Sequence, residues 1–396
     1  MKIPVVRLNP KADYRLRHGH LWIYSNEIDN SYYSIKNLTP GDEAIIQDAK
    51  GKVLGVAYIN PNTLLCGRMI NFNSTHGFDL EIFKTRCINA LTLREQLFKN
   101  SCYRLIYGES DLLPGLVVDR FYDLLIVQVS TAGMERHLDL IVHSLDDIIK
   151  PTAIVIKNDG KMRALEGLES YVKWHKGQEE SSARLEENGV KFEFSIMHGQ
   201  KTGWFYDHRM IRARMKDYVA NKRVLDVFSY IGGWGIQAGA FGAKEVILND
   251  ISELALEQAK INAQLNNLTN IKTIGGDAFE TMEKLAQQGE IFDVVVLDPP
   301  AFIPKRKDLP KGLAAYQKAN LLAMQLLAPT GGILISGSCS MHLPATDLQE
   351  AIHKAALKLG RQVKILEQGH QGPDHTIHPD ITETSYLKSF IMWIYN

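Results

Sequence analysis

KRVLDVFSYIGGWGIQAGAFGAKEVILNDIS, residues 222–252, decides the fold class. Val224 to Phe228 form an apolar run interrupted by Asp226, Gly232 and Gly233 permit a tight turn, a helix is expected from about Trp234, and VILND closes a second strand on Asp250. A strand, a glycine-rich turn, a helix and a second strand ending in a carboxylate describe a nucleoside-binding βαβ unit. The turn admits the ligand and the acid accepts both ribose hydroxyls. Gly232, Gly233 and Gly235 do not fit the GxGxxG spacing of a pyrophosphate site. A carboxylate at Asp226 sits badly beside phosphates but well beside an ammonium or sulfonium, the positive groups of S-adenosylmethionine.

Downstream, TIGGDAFE puts Asp277 at the end of a third strand. There it can accept the adenine amino group or cap the helix that follows. FDVVVLDPPAF drives a strand, Val294 to Leu297, into Asp298, Pro299 and Pro300, which stiffen the chain and end the sheet. That is where open α/β sheets bind substrates, although an acid in a plain loop after a buried strand would read the same way. GGILISGSCS places Cys339 at the end of a further apolar run, as either a nucleophile or an inert packed thiol.

The chain has 396 residues, enough for two or three domains, and 45 basic residues balance 45 acidic ones, so local charge must be read instead of net charge. Four scattered cysteines show no zinc spacing and no disulfide framework. Without a signal core or an apolar run of about 18 residues, a soluble, cytoplasmic protein with no membrane segment and no metal is expected. Residues 1–73 read as a small β-rich unit, whose Lys11, Arg15, Arg17, His18 and His20 surround Tyr14, Trp22 and Tyr24. Basic residues among aromatics suit unstacked RNA, and equally a solvated loop with its aromatics in the core. Residues 74–185 read as an α+β unit with a helix over 79–100 and a strand pair separated by Asp119 to Asp123. The stretch WHKGQEESSARLEENG reads as a linker, and residues 186–396 as alternating strands and helices of a doubly wound, mostly parallel sheet.

VLDVFSYIGGWG, VILNDIS, GGDAF and VVVLDPPAF resemble the successive motifs of class I S-adenosylmethionine-dependent methyltransferases with a Rossmann-like domain. GQKTGWFYDHR, YGESDLLPGLVVDRFYD, QGPDHTIHPD and RLRHGHLWIYSNEI are, more narrowly, similar to the large-subunit ribosomal RNA cytosine-5 methyltransferases that carry an N-terminal PUA domain. The resemblance implies a PUA-like RNA-binding unit, a central α+β domain, S-adenosylmethionine as cofactor and large-subunit ribosomal RNA as partner. It implies a cofactor set of Gln200, Lys201, Thr202, Phe205, Asp226, Phe228, Gly232, Asp250, Ile251, Asp277, Ala278 and Asp298, with Asp298 and Cys339 facing the target base. The family usually carries a lysine after the two prolines; here Ala301 stands there, followed by Lys305, Arg306 and Lys307.

Methylating C5 of cytosine requires covalent help, because that carbon is a poor nucleophile. A thiolate adding to C6 makes C5 nucleophilic, and a neighbouring carboxyl group stabilises the adduct at N3 and the amino group. Cys339 and Asp298 fit those roles, with Ser338 and Ser340 as candidates for lowering the thiol pKa. Two alternatives stay open: methylation of a base nitrogen at Asp298-Pro299-Pro300 with Cys339 idle, and a catalytically silent RNA-binding assembly factor. The N-terminal unit suits dimer contacts as well as RNA contacts, which leaves a homodimer open.

Overall fold

Short apolar runs broken by turn residues make the first sheet of the computed structural model, which describes residues 3–396. Strands β1 (Val5–Arg7), β2 (Trp22–Tyr24), β3 (Asp42–Gln47), β4 (Val53–Ile59) and β5 (Leu65–Phe72), with the one-turn helix α1 (Tyr14–Arg17), order as β1-β3-β4-β5-β2. Alternation along these strands sends Val6, Ile23, Ile46, Ile59 and Met69 into one core. Two members of the basic cluster at its opening are ion-paired: Arg15 with Glu27, and Arg17 with Asp13 and Asp48.

Asp79 caps helix α2 (Leu80–Leu97) by accepting from the Ile82 N–H at 2.9 Å. Strands β6 (Cys102–Tyr107), β7 (Leu116–Phe121) and β8 (Leu124–Val129), helices α3 (Ala132–Arg136) and α4 (Leu138–Ile149), strand β9 (Ala153–Asn158), helix α5 (Met162–Leu165) and strand β10 (Tyr171–Lys176) follow. The sheet runs β10-β9-β8-β7-β6, and only β8 and β9, joined through α3 and α4, are parallel. Asp119 lies inside β7 and is fully buried; the turn of this hairpin is Tyr122–Asp123.

The chain up to Ala183, with Ser195–Trp204 and Pro373–Thr384, forms one compact unit. Val56, Tyr58 and Ile70 of the first sheet share the core of the second, and the Tyr58 hydroxyl donates to the Pro114 carbonyl at 2.6 Å. Buried charge fixes the two returning segments. Arg94, fully buried, donates to both oxygens of Asp111 at 2.7 Å and to the Asp374 carbonyl at 2.9 Å. Arg104 grips Asp119 through two bonds of 2.8 Å, and Asp119 also accepts from the Thr202 hydroxyl at 2.5 Å. Buried Lys157 donates to the carbonyls of Ile196 at 3.0 Å and Gly199 at 2.6 Å.

The second unit comprises Arg184–Phe194, Phe205–Gly372 and Ser385–Asn396. The expected linker departs from the structure here: its first residues finish β10 and its last ones build β11 (Ser182–Glu187), which pairs with β12 (Val190–Ser195). Its charges and glycines give it a loop-like composition, while Leu185 and Glu187 alternate inward, so a composition reading sees a loop where a two-stranded ribbon forms.

The ribbon leads through helix α6 (Arg209–Arg214) to β13 (Arg223–Val227), α7 (Gly235–Ala240), β14 (Glu245–Asp250), α8 (Glu253–Leu265), β15 (Ile271–Gly275), α9 (Ala278–Gln287), β16 (Val294–Leu297), α10 (Leu309–Gln325), β17 (Gly332–Ser338), α11 (Ala345–Lys358), β18 (Gln362–Gly369) and β19 (Lys388–Tyr395). The sheet order is β15-β14-β13-β16-β17-β19-β18, with β15 to β17 parallel and β19 inserted antiparallel. The strand order reverses between β13 and β16, the switch point at whose carboxyl ends open α/β sheets bind their ligands. Among the described residues no helix is long and apolar enough to cross a membrane.

Replacing Arg94 with Met should strand Asp111 without its buried partner and cost about 3–5 kcal/mol of stability. Denaturant unfolding followed by tryptophan fluorescence measures this.

Candidate active site

Register alone brings the acids of the second unit to one rim. Val227 pairs with Asn249 and with Leu297, and Asp250 pairs with Gly275, so the ends of β13, β14, β15 and β16 are level. Asp226 is fully buried; its Oδ2 accepts from the Gly235 N–H at 2.8 Å, and its Oδ1 finds no hydrogen-bond partner among the described residues. Burial pushes this carboxyl well above the ordinary carboxylate value, and Asp298 and Asp250 add to the rise against the Gly235 N–H. The Ser229 hydroxyl, three residues on, is likewise buried without a hydrogen-bond partner among the described residues. A cationic group with N–H donors is what such a pair of atoms lacks.

The turn is fitted to close approach. Gly232 sits at φ 86°, and a Cβ on Gly235 would lie 2.1 Å from Leu248 and 3.1 Å from Asp226 Oδ2. Asp250 accepts from the Tyr230 N–H at 2.8 Å and the Ser252 N–H at 2.9 Å, which aims the carboxylate. Ile251 next to it is 74% exposed, an apolar surface suited to a purine face. Phe228, at φ 65°, packs edge-on to Phe279 and Phe302. Asp277 caps α9 through Oδ1, which accepts from the N–H groups of Phe279 and Glu280, with Ala278 buried behind it. Capping occupies one oxygen, so it and the binding of an amino group are compatible.

Asp298 follows β16 directly, and its two oxygens are held apart by two donors: Trp234 Nε1 at 2.9 Å and His208 Nε2 at 3.2 Å. Burial would raise the Asp298 pKa, but the facing His208 and the two hydrogen bonds outweigh burial and hold it below the ordinary value. Leu297 pairs with Ser336 on β17, so Gly337 lies beside Asp298; a Cβ there would sit 3.7 Å from Asp298 Oδ1 and 3.5 Å from His208 Cε1. Cys339, half-buried, comes two residues later.

Under the cysteine, the Tyr316 hydroxyl bonds both Ser338 Oγ at 2.8 Å and Ser340 Oγ at 2.9 Å. The serines thus tie the turn to α10. Positive charge comes from Lys388, which opens β19 opposite Ser338, donates to the Tyr386 carbonyl at 2.9 Å and to the Ser340 carbonyl, and lies within electrostatic reach of Cys339. Burial pulls the Lys388 pKa down to about 8 against the attraction of the sulfur. Its ammonium in turn favours thiolate over thiol.

Of the expected set, Asp226, Phe228, Gly232, Asp250, Ile251, Asp277, Ala278, Asp298 and Cys339 gather on the loops at the carboxyl ends of β13 to β17. Phe205 belongs to the same unit, edge-on to Tyr230 at 5.6 Å. Gln200, Lys201 and Thr202 belong to the first unit, where Thr202 is buried on Asp119. Sequence reading missed Trp234, Tyr316 and Lys388 and gave His208 no role. The only signal for His208 was its place in GWFYDHR, and nothing in SYLKSF pointed to a cysteine some fifty positions earlier.

A sheet of this order, with acids at the ends of its first three strands, defines a class I S-adenosylmethionine-dependent methyltransferase. Residues 110–391 match the family described as S-adenosylmethionine-dependent methyltransferase, and residues 6–72 match the PUA-like domain. Ribosomal RNA large subunit methyltransferase I of Aliivibrio fischeri (strain MJ11) is 36% identical over 384 residues, 96% of each chain. The protein of the same name from Tolumonas auensis is 36% identical over 395 residues, 98% of each chain. The crystal structure of SMU.776 complexed with SAH superposes with a TM-score of 0.83 over 99% of this chain and 100% of that one, a likeness of fold at 19% identity. The chain belongs to the family of ribosomal RNA large subunit methyltransferase I. S-adenosylmethionine is its methyl donor, and the unpartnered Asp226 Oδ1 and Ser229 Oγ fit that cationic cofactor.

Because Asp226 holds its proton below its raised pKa and must release it to meet a cation, S-adenosylmethionine binding should liberate protons and tighten as pH rises through that pKa. Calorimetry in buffers of different ionisation enthalpy reads the release. Asp226→Asn should remove it and weaken binding about 10–100-fold, the loss of a charge-assisted bond of about 1.5–3 kcal/mol. Lys388→Met should slow iodoacetamide alkylation of Cys339 at pH 7 about tenfold, as for a thiol pKa raised by about one unit. The other thiols stay silent in that assay, since Cys66, Cys87 and Cys102 are buried and burial pushes the first two up to about 12.

Proposed function

We propose that this protein methylates C5 of a cytosine in large-subunit ribosomal RNA in the cytoplasm, through a covalent bond between Cys339 and C6. The observation that carries the reading is a pairing of roles at neighbouring strand ends: a half-buried thiol with an ammonium in reach, and a half-buried carboxylate whose oxygens are oriented by two donors. The names of the relatives that span the chain support the ribosomal substrate. Phosphates of the RNA have a cationic loop to meet in Lys305, Arg306 and Lys307, all exposed after Asp298-Pro299-Pro300, where Ala301 replaces the usual lysine. Residues 1–73 serve as the RNA-binding domain, 74–185 as the central domain and 186–396 as the methyltransferase domain. For Gln200, Lys201, Thr202 and Phe205, a cofactor role rests on the family resemblance alone.

In the mechanism we infer, the target base is unstacked so that C6 reaches the sulfur. The Cys339 thiolate adds to C6, and Asp298 engages the N3 and amino edge where charge collects. Bound S-adenosylmethionine supplies an electrophilic methyl group for C5. Loss of the C5 proton then expels the Cys339 sulfur. Lys388 keeps the sulfur ionised before attack and after release.

Ribosomal RNA containing 5-fluorocytosine, incubated with S-adenosylmethionine and the protein, should give a covalent complex on a denaturing gel, because fluorine cannot leave as a proton does. Cys339→Ala should give none and lose at least 10³-fold in methyl transfer to unmodified RNA. Transfer surviving in that variant would discard the nucleophile and favour methylation of a nitrogen.

A further inference from the structure

His208 is buried on every side, and the mechanism above gives it no task. Its Nε2 faces Asp298 Oδ1 at 3.2 Å, its ring stands edge-on to Trp234 at 5.5 Å, and its Nδ1 finds no hydrogen-bond partner among the described residues. A buried ring nitrogen of a structural histidine usually finds a hydrogen-bond partner. This one points a single nitrogen at the one acid placed to touch the base.

We propose that His208 is a positioning residue that stores a proton for Asp298, so that the pair carries one proton and lends it to N3 of the target cytosine. The inference rests on the covalent mechanism above. As the Sγ–C6 bond forms, the C5–C6 π pair shifts toward N3. The proton held between His208 Nε2 and Asp298 Oδ1 passes through the carboxyl group to N3, which leaves a neutral enamine rather than a buried anion. C5 then takes the methyl group from the sulfonium. As the Sγ–C6 bond breaks, the N3 proton returns to the pair and the C5 proton, the single net proton of the reaction, passes to water.

The surroundings suit a pair that keeps its proton at neutral pH. Burial alone would drive the imidazole toward its neutral form, but Asp298 and then Asp207 overcome it against Arg212, and the His208 pKa is raised. Those are the charged groups facing the ring: Asp298 after β16, Asp207 on its own turn and Arg212 on α6. Asp207 is itself pinned by the Tyr386 hydroxyl at 2.5 Å. On the β17 side stands Gly337, which leaves room and adds no charge.

The test compares single-turnover methyl transfer by the native protein and His208→Gln between pH 6 and 9, with S-adenosylmethionine affinity measured on each. Glutamine preserves a donor to Asp298 but holds no exchangeable charge. The expected result is an about 100-fold slower step below the His208 pKa, with cofactor affinity within threefold of native. The native-to-variant ratio then shrinks about tenfold per pH unit above that pKa, because the native imidazole has lost its proton too. Effects of Lys388 and Cys339 ionisation cancel in this ratio. A ratio constant with pH, or equal to one throughout, overturns the proposal. Methyl transfer surviving in Cys339→Ala would instead overturn the covalent mechanism, so the two failures are distinguishable. A second arm needs no variant of His208. Imidazole 15N shifts should show His208 titrating above the usual histidine value and falling back in Asp298→Asn, and absence of that fall overturns the proposal as well.

Discussion

A charge taken out of water must be met by an opposite charge or by hydrogen bonds, and this fold takes many charges out of water. In the first unit the debt is settled internally. Arg94 with Asp111, Arg104 with Asp119 and Lys157 with the carbonyls of Ile196 and Gly199 are buried and well paired. Glu187 in the second unit is met by Arg212 at 2.7 and 3.0 Å and by Gln237 at 2.9 Å. These groups hold loops and termini, and none has an unmet atom with a ligand-like vacancy to suit chemistry.

At the carboxyl ends of β13 and β16 the pattern changes. Asp226 keeps one oxygen unmatched and His208 one nitrogen, while Asp298 is held by two donors that leave its face defined. Of these atoms, Asp226 Oδ1 is the one whose missing partner fits the cationic cofactor. In the turn that follows β13, Phe228 and Tyr230 both adopt positive φ, 65° and 50°.

Motifs that look like separate signatures in the sequence turn out to serve one another. Asp111 and Asp119 of ESDLLPGLVVDR, Thr202 of GQKTGW and Asp374 of QGPDH are joined through Arg94 and Arg104 in one buried network of the first unit. The family resemblance places Thr202 with the cofactor, together with Gln200 and Lys201. Its hydroxyl donates to Asp119, eighty-three positions away, and fastens that loop.

By itself the sequence determined the elements that obey local rules. A strand run into a glycine turn, VVVL run into Asp-Pro-Pro, and ISGS run into Cys339 each carry their own apolar period and their own stop, so the strand ends that bear Asp226, Asp250, Asp298 and Cys339 were legible before any coordinates. The ribbon at 182–195 escaped because its charges mask a period of two, and Asp119 was read as turn because an acid between apolar runs is normally solvated. Only the tertiary structure decided what surrounds the reacting atoms. Lys388 reaches Cys339 because β19 inserts antiparallel beside β17, and His208 reaches Asp298 because the turn before α6 packs over the end of β16. Those contacts span some fifty and ninety positions, and no propensity encodes them: they follow from strand order and from the requirement that each buried charge find a partner.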